Sequence, residues 1–240
     1  MSHTPHTSRP TDCGVFSVLN AATSDASGVN YTAYTVGGAL FVMSNGPVQL
    51  SSLAFQGSYA TTQSNQSQAY AVPVLAIGGS IAVFSTASCA ISDVSISNSN
   101  ATVTYSGTSP ASSITAMGGG IYWSDIAIGF IMAFVPAITV ASFYNVVITR
   151  STVAIYTALL NGALVGNYSC FGGSIAVVAS TVEALNSTNP DIFYYGQSLL
   201  FSNVSISRSS VVLTLQSATP VNASASITSP PYVLLLGGAM

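Results

Sequence analysis

Asp93 and Arg150 are the two residues of this 240-residue chain whose types could most readily act on a substrate. A carboxylate can serve as general acid or base, and a guanidinium can neutralise an acidic group. Cleavage of a glycosidic bond, however, generally needs two carboxylates at a defined separation. The six acids, Asp12, Asp25, Asp93, Asp125, Glu183 and Asp191, form no D-x-D or DD motif, and no Lys-Arg cluster is present to serve a lyase. Both histidines, His3 and His6, fall in a leader over residues 1–14 that reads as disordered, which leaves no credible serine-histidine arrangement. Cys13, Cys89 and Cys170 are odd in number, widely spaced and without CxxC or Cys/His spacing. They read as buried small apolar residues rather than a zinc site or a disulfide framework. The expectation is a chain that is not an enzyme and carries no metal or cofactor.

Other polar residues recur instead of clustering. Ser52, Asp93, Asn145 and Asn203 hold the same place in four related segments, Leu50-Ser51-Ser52-Leu53-Ala54-Phe55, Ile91-Ser92-Asp93-Val94-Ser95-Ile96, Phe143-Tyr144-Asn145-Val146-Val147-Ile148 and Phe201-Ser202-Asn203-Val204-Ser205-Ile206. If the segments stack as strands about 4.8 Å apart, these side chains form an Asn-type hydrogen-bonded ladder of structural purpose. The acidic density of a calcium site is missing. Five positions further on, Gly57, Asn98, Arg150 and Arg208 align, and Arg150 and Arg208 are candidate contacts for a carboxylated or sulfated glycan. N-x-S/T sequons make Asn30, Asn65, Asn100, Asn167, Asn186 and Asn222 candidate N-glycosylation sites, while Asn203, also in a sequon, is assigned to the ladder.

The elements that position these residues announce themselves by Gly-Gly pairs, at Gly37-Gly38, Gly78-Gly79, Gly118-Gly119, Gly172-Gly173 and Gly237-Gly238. The spacings are 41, 40, 54 and 65 residues. Periods of a few tens of residues mark stacked or radial repeats. Each pair opens an alternating apolar stretch such as Gly78-Gly79-Ser80-Ile81-Ala82-Val83, and the boxes above supply a second strand per unit. Polar stretches such as Ala60 to Ala71 and Asn100 to Ser113 read as loops of variable length. Helix formers and caps are scarce, so the fold class is all-β. Two strands and one elastic loop per unit fit a right-handed parallel β-helix, a solenoid, over 15–240. The run ends inside a repeat, at Gly237-Gly238-Ala239-Met240, and reads as truncated at that end.

Composition narrows the function classes. Hydrophobic residues make up 49% and charged residues 4%, the reverse of a disordered chain. A net charge of -3 with three arginines and no clustered cations excludes a nucleic-acid partner. Ile126 to Ile148 is a 23-residue uncharged run, long enough to span a bilayer although Pro136 interrupts it, and it reads as a β insertion for self-association or membrane contact.

The pairing of a GGAI-like opening, as in Gly37-Gly38-Ala39-Leu40 and Gly237-Gly238-Ala239, with a later Phe-x-x-Asn-like box, loosely matched by Phe201-Ser202-Asn203 and Phe143-Tyr144-Asn145, resembles the repeats of polymorphic outer membrane proteins. It is also similar to related pectin-lyase-like β-helix proteins of cell surfaces. The resemblance covers about Val36 to Met240 and implies a β-helical passenger or stalk on the extracellular face of a membrane. Such a protein would act as an adhesin toward a glycan or protein ligand. The rival expectations are a polysaccharide-acting pectin-lyase-like enzyme and an integral membrane protein anchored through 126–148.

Overall fold

The computed structural model describes residues 14–21, 33–44, 46–66, 73–85, 87–107, 113–124, 139–159, 167–178, 197–217 and 232–236. No helix occurs among them. Val, Ile, Tyr, Phe and Thr, which fit a pleated and half-buried surface, fill eighteen strands. The chain runs β1 (Gly14–Ala21), β2 (Ala33–Val36), β3 (Leu40–Ser44), β4 (Val48–Gln56), β5 (Tyr59–Gln66), β6 (Val74–Ile77), β7 (Ile81–Ser85), β8 (Cys89–Ser97) and β9 (Asn100–Gly107). It continues through β10 (Ser113–Met117), β11 (Ile121–Ser124), β12 (Thr139–Thr149), β13 (Thr152–Leu159), β14 (Asn167–Phe171), β15 (Ile175–Val178), β16 (Gln197–Ser207), β17 (Ser210–Ser217) and β18 (Tyr232–Leu236).

These strands form four sheets in which each strand pairs, in parallel, with the strand four places later: β1-β5-β9-β13-β17, β2-β6-β10-β14-β18, β3-β7-β11-β15 and β4-β8-β12-β16. One repeat is therefore a coil of four strands, one per sheet, an arrangement of stacked parallel sheets compatible with a β-solenoid. The expectation of two strands and a polar loop per unit is corrected here. Most of Ala60–Ala71 and of Asn100–Ser113 is strand, as β5 and β9: Ala60, Thr62, Ser64, Ala101, Val103 and Tyr105 are buried on the inward face, where the Thr62 hydroxyl donates to the Leu75 carbonyl, while Gln63 and Asn100 are exposed.

Two corners of each coil have fixed length and two do not. The Gly-Gly corner and the corner at Gly57-Ser58, Asn98-Ser99, Arg150-Ser151 and Arg208-Ser209 keep the same residue count in every coil. All length variation falls between β3-type and β4-type strands, as at 125–138 and 179–196, and between β5-type and β6-type strands, as at 67–73 and 218–231. The first glycine of each of the four described pairs takes a left-handed conformation, with φ of 68°, 67°, 62° and 59° at Gly37, Gly78, Gly118 and Gly172, and Gly237-Gly238 lies outside the described residues.

The second glycine answers to a different demand. The two fixed corners meet across the interior, so a Cβ on Gly79 would collide with the Gly119 carbonyl oxygen and lie 2.7 Å from the Asn100 carbonyl carbon. Gly119 and Thr152 repeat the relation one coil up. This waist divides the core into two lobes. One holds Val74, Ala76, Val103, Tyr105, Ile114, Val153, Ile155 and Cys170. The other holds Ile81, Val83, Ile91, Val94, Ile96, Trp123, Phe143, Val146 and Ile148. Full burial of each large side chain contributes about 1.5–3 kcal/mol.

At the waist the interior is polar. Ser58, Ser99 and Ser151, one per coil, are buried beside Ser80 and Ser174 of the glycine corners. Ser151 and Ser174 hydroxyls lie 2.5 Å apart, and Ser174 also bonds Ser209. Outside the waist, the sheets containing β2 and β3 close on a third cluster, where Phe84 contacts Phe41 edge-on at 5.7 Å and Tyr122 at 5.3 Å over Ile77, Ala82 and Ala176.

Candidate functional site

Ser52, Asp93, Asn145 and Asn203 lie one above another on the sheet formed by β4, β8, β12 and β16. The strand register skips each of them. Each is left-handed, with φ of 57°, 54°, 52° and 52°, so every coil carries a bulge at the same height. Asn and Asp are the residues besides glycine that enter this region most readily, which accounts for their choice. The Asn145 Nδ2 donates to Asp93 Oδ1 at 2.7 Å, and Asn203 Nδ2 donates to Asn145 Oδ1 at 2.9 Å. The ladder runs on the outer face, not in the interior, with Asp93 and Asn203 exposed. Both amides donate toward the lower coil, so the row ends on the Asp93 carboxylate.

The second row is also left-handed: Gly57, Asn98, Arg150 and Arg208 have φ of 70°, 54°, 55° and 55°. Each turns its strand into the next sheet, and the Arg150 backbone N–H donates to the Ser207 carbonyl at 3.0 Å. Both arginine side chains are exposed. Asp93 and Arg150 are not brought together. They belong to different rows, five residues or about 16 Å apart along the strand at about 3.3 Å per residue, and no ion pair forms among the described residues. No group of three His, Cys, Asp or Glu side chains that could hold a metal occurs among the described residues either.

Of the sequons, Asn100 is exposed at the start of β9, Asn65 and Asn167 lie in β5 and β14, and Asn203 is engaged in the ladder. Asn30, Asn186 and Asn222 lie outside the described residues, as do Cys13 and the rest of the leader over 1–14 except Gly14, which opens β1. Cys89 and Cys170 are buried free thiols, pushed by burial up to about 12. Burial, reinforced by Tyr168, likewise raises Tyr105 to about 12. Burial raises Tyr168 against a partly offsetting hydrogen bond from Thr157.

Within Ile126 to Ile148, residues 139–148 are part of β12, with Ala141, Phe143, Val146 and Ile148 buried inward, and 126–138 lies outside the described residues. The 23-residue run is thus not one continuous helix, and no helix among the described residues is long and apolar enough to cross a membrane.

Sequence reasoning missed two exposed tyrosines, Tyr144 at 56% exposure on β12 and Tyr156 at 42% on β13, each six residues from Arg150. The signal was present as aromatic residues at the outward places of alternating strands, next to Asn145 and six residues beyond Arg150. It missed as well a shallow depression of about 160 Å³ lined by Ala54, Phe55, Gln56, Ser95 and Ser97, which carries no acid or base. No protein-family model, no curated protein and no solved structure matches this chain.

Proposed function

We propose that this chain is part of a non-enzymatic, right-handed β-helical protein of a cell surface or membrane exterior, acting as an adhesin or stalk toward a glycan or protein ligand. The carrying observation is the exposed ladder from Asp93 through Asn145 to Asn203. It continues from coil to coil and so presents one extended polar surface in place of a focused pocket. Right-handedness follows the strong preference of crossover connections between parallel strands. Asp93, the one described acid, is occupied as the ladder's terminal acceptor, which favours support over proton transfer. Surface display supports the candidate glycosylation of Asn100, whose side chain faces solvent.

The test expresses the chain with an export signal and measures carbonate extraction, far-ultraviolet circular dichroism and retention of cells on surfaces coated with it. Carbonate-soluble β-structured protein that retains cells supports the reading. A carbonate-resistant protein with helical dichroism, or a soluble one that retains no cells and supports no assembly at a surface, removes it.

A further inference from the structure

Arginine supplies all three Lys and Arg residues of the chain, and two of them, Arg150 and Arg208, occupy one structural position on adjacent coils. That position disfavours them twice. Its left-handed backbone is filled more easily by Gly57 and Asn98 in the coils below. Two like charges one rung apart, about 4.8 Å between strands, also repel each other. No carboxylate among the described residues pairs with either. Unfavourable backbone conformations retained at exposed positions are a signature of ligand contact.

The neighbourhood is chemically specific. On the same two coils Thr152 Oγ1 and Ser210 Oγ stand 3.0 Å apart just past the corner. Guanidinium forks match sulfate and carboxylate oxygens, and hydroxyls hydrogen-bond sugar hydroxyls. We propose that this ridge binds a linear anionic glycan lying along the stack, with Arg150 and Arg208 each gripping a sulfate or carboxylate and the Thr152 and Ser210 hydroxyls beside the sugar chain. The proposal rests on the adhesive reading above and names its ligand class and site.

The experiment measures binding of the full chain to dextran sulfate, uncharged dextran, free sulfate and phosphatidylserine vesicles. Arg150→Asn, Arg208→Asn and the double variant remove charge while keeping a residue suited to the corner, and their folding is checked by thermal melting. The expected result is binding to dextran sulfate alone, weakened by rising salt. Each single variant loses about tenfold, as expected for a charged hydrogen-bonding group, and the double variant loses all binding. Undiminished binding by a folded double variant overturns the proposal, as does binding to free sulfate or to vesicles at least as strong as to dextran sulfate. If the double variant still retains cells as the parent does, the glycan site fails and the adhesive reading survives. If the parent retains no cells, the adhesive reading fails whatever dextran sulfate does.

Discussion

The Phe201 ring lies flat on Phe143 one coil below, with centroids 4.9 Å apart and planes 6° from parallel. Phe143 is buried with 1% of its surface exposed, whereas Phe201, on the outermost strand of its sheet, keeps 52%. The same side chain in the same register therefore carries different weight. We expect Phe143→Ala to cost about 3–5 kcal/mol and Phe201→Ala less than half of that, read from urea denaturation midpoints. Equal losses would show that the upper face is covered.

The waist predicts a sharp contrast between glycines. Gly79→Ala places a methyl group against the Gly119 carbonyl and the Asn100 backbone, so it should destabilise by about 4 kcal/mol or prevent folding. At Gly46, where the nearest atom to a Cβ is Ser44 Oγ at 3.8 Å, Ala should change stability by less than about 0.5 kcal/mol. A Gly79→Ala protein that melts with the parent would mean that the two corners do not touch.

The left-handed rows predict opposite signs for two polar substitutions. Arg150→Asn should raise stability by about 0.5–1 kcal/mol, since Asn98 holds that conformation one coil below. Asn145→Ala should lower it by about 1–2 kcal/mol, because it loses the bonds to Asp93 and Asn203 and puts a methyl-bearing residue at φ 52°. Thermal melts of the two variants decide the matter.

Burial of Cys89, Cys170 and Tyr105 predicts alkaline loss of stability. Unfolded thiols ionise near 9.0 and unfolded tyrosines near 10.0, while these three hold their protons to about 12 in the fold. Between those limits the unfolded chain sheds protons that the folded chain keeps, so stability falls as pH rises from 9 to 12. Below about pH 8 both states are protonated and these groups impose no slope. Denaturation midpoints across this range check the sign, and iodoacetamide should leave Cys89 and Cys170 unlabelled until the chain unfolds.

The Gly-Gly corners and the alignment of the two polar rows were legible in the sequence because both recur at fixed places in each unit, whereas the left-handed backbone of the rows, shared by Ser52, Arg150 and Arg208, was not. The outward strands β5 and β9 were not. Alternation of Thr102 and Thr104 with Val103 and Tyr105 looks like loop composition when the apolar partners are few and the polar ones are Ser, Thr and Asn. The serine waist was hidden for a stronger reason. Ser58, Ser99 and Ser151 are polar residues in the interior, and only the contact of two corners distant in sequence gives Ser151 and Ser174 each other as partners. The pairing of Asp93 with Asn145 was legible from their common place in the aligned segments, and the register that makes it leaves Arg150 in a separate row.

The aromatic cluster outside the waist has a rhythm of its own. The register sets Phe41 beside Ala82, Ala82 beside Tyr122 and Tyr122 beside Ala176, while Phe84 leans into the room left by the small residue of its coil. Bulk alternates with absence up the stack. Removing the coil that carries Ala82 would set the Phe41 ring beside that of Tyr122, whereas removing that coil and the next would set Phe41 beside Ala176 and keep a large side chain next to a small one.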